Sequence, residues 1–506
     1  MILPDDTPES PTKSRAGPPS EAPEEEYLPP PPAYPGHGSS RPADLEAQAS
    51  TSRTPLVQPG HHVEEVEHAP TRFLKAFGIA VLIWIVVGSF ARSAFAASHT
   101  RSHPSQGGGG GGGRHDDDRR WPDKPDKPGS PDPFPGEIIF PKPKDGAARC
   151  IRASSPYETR HFKDEVAISI QLPLSADVLY IFAKGSLSHG VVTFTSTDDP
   201  ALPHDRVGVD IAFIYTSKAA LDKSEVCLFE RAPGEKGIGI LTPEGVPSKK
   251  TLKTLINVRF PVLPRGEVLR VNGFETDLPG FMHALTNLEK KVHFDSISLS
   301  SKNMLMQVDY LDADEARLTT ANARLAGNFH ASRALYLETT NSAISADITL
   351  DHDDARPHHT NLTMLTSNAI IDSRLTLRST SPKSTGGLYD VVARTQNAGA
   401  FLFVASQPVG STLLLEARTK NAPASLYLPV EYEGAFSAAT TSISAEVECD
   451  ENAYDPTGRG RRRVCAVQYA TPQVVKGWTS WEGEGERHGS GDVRLVSTNA
   501  PVKLIQ

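Results

Sequence analysis

Leu335-Tyr336-Leu337-Glu338-Thr339-Thr340-Asn341, followed by Ile344 and Ala346, is the stretch that decides how this chain folds. Alternation puts Leu335, Leu337 and Thr339 on one face of a strand, and Asn341 falls where the chain turns. The phrase apolar-x-apolar-x-Ser/Thr-x-Asn recurs, ending at Asn303, Asn322, Asn341, Asn368, Asn397, Asn421 and Asn499. Ala follows Asn322, Asn368, Asn397, Asn421 and Asn499, which permits close approach between turns. The first two intervals are both nineteen residues and the later ones are longer. That spacing reads as the coils of a β-solenoid with inserted loops. Asn tolerates left-handed backbone and bonds its neighbours through its amide. Stacked turns therefore predict a ladder of amides, each satisfying the next. These asparagines serve the frame before any ligand. The Asn421–Asn499 interval is the exception, with Cys449, Cys465 and a polar excursion inside it.

Upstream, residues 149–292 carry alternating, β-branched and aromatic stretches bounded by Gly, Pro, Asp or Ser. They read as an antiparallel β module placed before a repeat-containing domain over 293–506. Gly237-Ile238-Gly239-Ile240-Leu241-Thr242-Pro243 reads as a compact turn, and Phe281 to Lys290 as one short helix. All four cysteines lie in this foldable part. Three pairings are possible. Cys449 with Cys465, close in sequence, and Cys150 with Cys227 are favoured, in an oxidising compartment.

Before residue 149 the composition changes. Residues 1–71 are rich in Pro, Glu, Ser and Ala, and the prediction is a disordered tail. Ala76 to Ala91 carries no charge. Sixteen helical residues span about 24 Å, so the span extends toward Phe73 and Phe95 to cross a hydrocarbon core of about 30 Å. Residues 72–97 therefore read as a transmembrane signal-anchor helix. Cysteines and the sequon Asn361-Leu362-Thr363 lie C-terminal to it, which puts the N-terminus in the cytosol and the C-terminal domain outside or in the lumen. Ala94-Phe95-Ala96 offers a rival reading, cleavage after Ala96 and release. Residues 98–148, with a glycine run from Gly107 to Gly113 and a Pro-rich continuation, form a stalk.

The tail holds Pro31-Pro32-Ala33-Tyr34 after a run of prolines. A preformed polyproline II segment with a tyrosine fits WW domains, with Pro31, Pro32 and Tyr34 as contacts. A WW-domain ubiquitin ligase is the expected cytosolic partner. Lys13, the only lysine before Lys75, is the expected acceptor.

The repeated Thr-x-Asn-Ala phrase on short alternating strands resembles adhesin-like β-solenoid families of unknown function. The layout of Pro-rich tail, single span, and a β module with Cys227 and Gly237–Pro243 resembles an uncharacterised domain family of basidiomycete fungi. The resemblance covers about residues 150–506. It implies a cell-surface location and supplies no catalytic residues.

Candidate chemistry is sparse. Asp351-His352-Asp353-Asp354 with His358 and His359 reads as an exposed inserted loop rather than a metal cage, since tight sites need pre-organised ligands. Arg459, Arg461, Arg462 and Arg463 lie between Cys449 and Cys465 and form a candidate anion-binding loop. Asp309, Asp312, Asp314 and Glu315 are the carboxylates a glycosidase on this scaffold would use, but sequence does not set their separation. No nucleophile elbow, zincin motif or phosphate loop is present. A net charge of −9 speaks against nucleic acid. The expectation is a non-enzymatic single-pass surface protein with an all-β ectodomain, needing no cofactor or metal, in contact with glycan or cell wall. The alternative is a carbohydrate-active enzyme on the same scaffold, for which Trp478 and Trp481 would be the platform.

Overall fold

The computed structural model describes residues 147–155, 160–162, 165–245, 252–355, 357–482 and 489–506. The tail with Lys13, Pro31, Pro32 and Tyr34, the span 72–97, and the stalk up to Gly146 lie outside the described residues. Among the described residues no helix is long and apolar enough to cross a membrane. Nearly all regular structure there is strand, interrupted by a four-residue helix, Lys218–Leu221, and one 3-10 turn, Pro264–Gly266.

The repeat phrase makes a two-stranded coil. Its apolar and Ser/Thr positions form a strand of one parallel ladder, Asn marks the turn, and the next strand joins a second parallel ladder. The first ladder runs Leu269–Asp277, Val292–Ser300, the later half of Met306–Thr319, the later half of Leu325–Glu338, Thr360–Leu365, Leu388–Arg394 and Thr412–Arg418. The second runs Phe281–Leu285, the early halves of Met306–Thr319 and Leu325–Glu338, Ile344–His352, Ile371–Ser379, Ala400–Ser406 and Ala424–Tyr427. The two long strands bend from one ladder into the other.

Register keeps each phrase position in its own column. Six places before Asn, the residues Ile297, Ala316, Leu335, Leu362, Val391, Leu415 and Val493 are all buried. Four places before it, Leu299, Leu318, Leu337, Met364, Ala393, Ala417 and Leu495 are buried too. The column three places after Asn is Met306, Leu325, Ile344, Ile371, Ala400, Ala424 and Val502, again buried. One contiguous apolar core joins these columns. Each fully buried Leu, Ile, Val or Met side chain contributes about 1.5–3 kcal/mol of transfer free energy, so the core drives the stacking.

The first module is mixed rather than antiparallel. Glu165–Pro173, Arg206–Tyr215 and Leu252–Pro261 pair antiparallel. Val178–Lys184 and Gly190–Thr197, by contrast, run parallel to Leu269–Asp277 and Phe281–Leu285. Strand pairing thus continues from the module into the coils. Phe281–Leu285 is a strand, not the start of a helix: Phe281, His283 and Leu285 alternate inward, and parallel partners on both sides override the helix preference of Met, Ala and Leu. Gly237 and Gly239 also sit in a strand, Glu235–Leu241, rather than a turn. They stand opposite Tyr180 and Phe182, whose rings lie where a Cβ would be.

The far end of the stack is out of sequence order. The final coil, Gly491–Ser497 with Val502–Ile505, slots between Thr412–Arg418/Ala424–Tyr427 and the earlier coil Gly434–Thr440/Ala445–Glu448. An antiparallel hairpin, Arg463–Ala470 with Val474–Trp481, then continues from Gly434–Thr440. The opposite end is closed by Glu225–Ala232 and Ala147–Arg152, also antiparallel. A disulfide sits in each closing element: Cys150–Cys227 at one end and Cys449–Cys465 at the other. Closing elements of this kind blunt the open ends that a stacked repeat would otherwise expose.

Candidate functional site

The asparagines form one column. Asn322 Nδ2 donates to Asn303 Oδ1, Asn341 to Asn322, Asn368 to Asn341, Asn397 to Asn368, Asn421 to Asn397 and Asn499 to Asn421, all at 2.6–2.8 Å. Each backbone N–H of the column after Asn303 also bonds a carbonyl of the preceding coil, as Asn368 N does with Thr340 O at 3.0 Å. None of the seven adopts the left-handed backbone that Asn tolerates. The amide-to-amide bonds replace the local backbone bonds that would have favoured it. All seven are exposed, whereas the Ser/Thr two places earlier is buried. Several of those hydroxyls bond turn carbonyls, among them Thr395 Oγ1 to Ala369 O at 3.1 Å.

A groove of 540 Å³ runs beside this column. Its walls come from the residues one to three places before successive asparagines, including Glu338, Thr340, Arg394, Gln396, Arg418 and Lys420. Arg394 and Arg418 are register partners on adjacent strands. Arg394 is also held by Glu416, at 2.9 Å.

On the other side of the same turns, the outer face of the second ladder carries an aromatic strip. Phe401, Phe403 and Tyr427 are 36%, 41% and 43% exposed. Phe403 pairs in register with Tyr427, their ring centroids are 5.8 Å apart, and the Arg374 guanidinium lies 4.9 Å from the Phe403 ring centre. Because Ala400, Leu402 and Val404 point inward, alternation forces the two phenylalanines outward.

Where the two long strands bend between ladders, the chain assembles a charged network that no local spacing announces. His330 donates from Nδ1 to Asp312 Oδ1 at 2.7 Å and from Nε2 to Asp351 Oδ2 at 2.8 Å. Bonds to both carboxylates outweigh burial and push the His330 pKa up to about 9, so the ring is an imidazolium at neutral pH. Burial works against the charged forms of Asp312 and Asp351. Hydrogen bonds from His293 and His330 to the first, and from His330 and Arg378 to the second, win and hold both carboxyls low. His293 Nδ1 lies 3.2 Å from Asp312, and its buried Nε2 faces Asp314 at 3.5 Å and Asp295 at 4.0 Å. The His293, Asp295 and Asp314 donor atoms lie close enough to share one cation. Arg270 already holds Asp295 at 2.5 Å, and Ser332 and Arg333 hold Asp314. The arrangement is an ion-pair network stitching neighbouring coils.

The other sequence candidates scatter. Asp309 is exposed on the outer face of its strand, apart from Asp312. His352 is buried against Tyr389, so the 351–359 stretch does not act as one ligand set. Asn361 lies within strand Thr360–Leu365, half-buried, between Ala334 and Asp390. The four arginines divide. Arg463 is 1% exposed and donates to Val430 O. Arg461 folds onto Asp455, and both guanidiniums lie 5.7 Å from the Trp481 ring. The Arg461 guanidinium holds the Asp455 carboxyl well below its usual range. Only Arg459 and Arg462 face outward, the latter toward Glu451 at 3.4 Å. Trp481 is buried and Trp478 half-buried, so they do not form an exposed pair.

No family model matches the chain. No curated protein matches it either. Among solved structures, a "putative adhesin" from Parabacteroides merdae is similar over 51% of this chain and 90% of its own, at 7% identity and a TM-score of 0.25. A "putative cell adhesion protein" from Clostridium sporogenes is similar over 67% of this chain and 99% of its own, at 9% identity and a TM-score of 0.13. These are distant similarities between β-rich chains, and they assign no family.

Proposed function

We propose that this is a non-enzymatic surface protein whose stacked coils contact glycan or cell-wall polymer. The observation that carries the reading is the Phe401–Phe403–Tyr427 strip. Exposed, adjacent aromatic side chains on an otherwise polar sheet face mark a contact surface. Their flat faces suit the C–H faces of sugar rings, and the Arg374 guanidinium beside them suits sugar hydroxyls. Two disulfides support the reading, since such bonds persist in the oxidising compartments where such polymers are met. The carboxylates around His330 do not supply the acid that an enzymatic alternative requires. A glycosidase needs one carboxyl with a raised pKa as proton donor. Asp312 and Asp351, the carboxylates gathered around His330, are both held low.

In this proposal residues 72–97 anchor the chain with its N-terminus cytosolic, and the tail controls turnover through Pro31, Pro32, Tyr34 and Lys13. Binding of a tail peptide to WW domains, abolished by Tyr34→Ala, tests the second part; no binding by the native peptide removes it. For the contact surface the test is a glycan array with the purified full chain and its Phe403→Ala/Tyr427→Ala variant. Retention of glycans by the parent and loss in the variant supports the reading. Equal retention by both overturns it.

A further inference from the structure

We infer that the aromatic strip continues into a cavity that seats one neutral sugar unit of an extended glycan; this rests on the glycan-contact reading and deepens it. Three observations carry it. First, a cavity of 400 Å³ lies at the far end of the strands that hold the strip. Ser406 and Gln407 line it where the Phe401–Phe403 strand ends, and Arg378 and Ser379 where the Arg374 strand ends. On that second strand Arg374, Thr376 and Arg378 share the outward parity. Four residues of strand cover about 13 Å at about 3.3 Å per residue. A short run of sugar rings spans that distance, so one chain can stack on Phe403 and enter the cavity.

Second, a buried acceptor with nothing to accept lines the cavity. Gln407 is 4% exposed, and its Nε2 donates to Glu431 O at 3.4 Å. That bond sets which way the amide points, and Oε1 is left without a hydrogen-bond partner. Buried polar groups are nearly always paired, so an orphan acceptor beside a cavity points to a donor supplied from outside. A β-bulge puts it there. Leu375 pairs with Val404 but Thr376 pairs with Ser406, which makes Ala405 the extra residue. Unbroken alternation would send Gln407 outward with Phe401 and Phe403, and the bulge turns it inward. Ser411, at the other end of the same arc, is 5% exposed, and its Oγ is unpartnered as well.

Third, the lining suits a neutral ligand rich in hydroxyls. Its two charged residues answer each other: Arg378 Nε and Nη2 donate to the two Asp351 carboxylate oxygens at 2.7 and 3.0 Å. The Ser384 and Ser406 hydroxyls donate and accept, and Gln407 Oε1 accepts, which matches sugar hydroxyls. The walls are also set in advance. Gly386 N bonds Val409 O at 2.9 Å and Thr412 N bonds Gly387 O at 2.8 Å, tying the arc of Ser384 to that of Gln407. Such pre-organisation lowers the cost of binding. Strip and cavity lie along one strand direction, so equatorially linked sugars, which form a straight ribbon, fit it, and axially linked ones coil away.

The test titrates the purified full chain with cellohexaose, N-acetylchitohexaose, their disaccharides and maltohexaose. A straight hexasaccharide binds more tightly than its disaccharide, which is too short to reach from strip to cavity, and raising salt leaves the affinity unchanged. Gln407→Met keeps the bulk and removes the acceptor. It weakens the hexasaccharide about three- to tenfold, as loss of a hydrogen bond requires, and leaves the disaccharide within about twofold. Ser406→Phe fills the cavity and gives the same pattern by a second route, and the urea midpoint of each variant reports the fold separately. Phe403→Ala/Tyr427→Ala weakens both lengths. Hexasaccharide binding that both cavity variants leave intact, while the strip variant loses it, overturns the cavity assignment alone. Binding on the glycan array but to none of these probes also overturns it alone, and no binding to any glycan overturns both readings. Maltohexaose bound as tightly as the straight chains, or an affinity that falls with salt, overturns the assignment of a neutral extended chain.

Discussion

Replacing Asn368 with alanine removes two rungs of the ladder at once, its own donation to Asn341 at 2.6 Å and the donation it accepts from Asn397 at 2.7 Å. Asn303, at the end of the column, takes part in a single rung, from Asn322. A net hydrogen bond contributes about 0.5–1.5 kcal/mol, and more is lost only when a partner is left buried and unpaired. The ladder asparagines are exposed, so water re-pairs the neighbours and the low end applies. Asn368→Ala should therefore cost about 1 kcal/mol and Asn303→Ala about half that. Asn368→Asp has the same shape but sets a carboxylate oxygen against the Asn341 carbonyl oxygen. At neutral pH it should be worse than alanine. Below about pH 4 its carboxyl protonates, becomes a donor, and recovers part of the loss. Urea unfolding followed by circular dichroism at pH 7 and pH 3.5, with hydrogen exchange of residues 340–400 to localise the effect, measures all three. Equal costs for Asn303→Ala and Asn368→Ala, or Asn368→Asp as mild as alanine at pH 7, would refute the cooperative ladder.

The His330 network gives a pH signature. With its pKa raised from 6.5 to about 9, His330 stabilises the fold fully below about pH 6.5, and the contribution is lost as pH rises through about 9. His330→Gln should thus lower the urea midpoint most near pH 6 and least near pH 10. The depressed Asp312 and Asp351 act at the other limit, with stability present above the ordinary carboxyl range and lost on acidification. Gly237→Ala puts a Cβ 2.2 Å from the Tyr180 ring, an overpacking that should cost about 1–3 kcal/mol in thermal or urea unfolding. Breaking Cys150–Cys227, which spans 77 residues, should cost more than breaking Cys449–Cys465, which spans 16, roughly 4.5 against roughly 3 kcal/mol by loop entropy. Paired Cys→Ala variants compared in urea check the order.

The coil was legible because phrase and pitch repeat together. Columns such as Leu318–Leu337–Met364 follow from alternation once the asparagines are aligned. The backbone at those asparagines was not, because Asn tolerates several turn conformations and bonds to the preceding coil choose among them. Phe401 and Phe403 sit in Ala400-Phe401-Leu402-Phe403-Val404, where both parities are apolar and alternation alone names no side. A usable signal was present nonetheless: the third residue after each ladder asparagine points inward, so the fourth and sixth point outward. His293 and His330 carried no such signal. They meet Asp312, Asp314 and Asp351 only through the bends of separate strands. The slot taken by the last coil, with Asn499 on Asn421 across 78 residues, is a tertiary choice that no local pattern encodes.

On the proposed function, the stacked coils hold glycan without cutting it. The most direct measurement incubates the purified full chain with polysaccharides retained on an array and then assays the supernatant for new reducing ends. Retention that depends on Phe403 and Tyr427, with no new reducing ends, is the predicted result. Release of product by the parent protein, or retention that is indifferent to both residues, would contradict it.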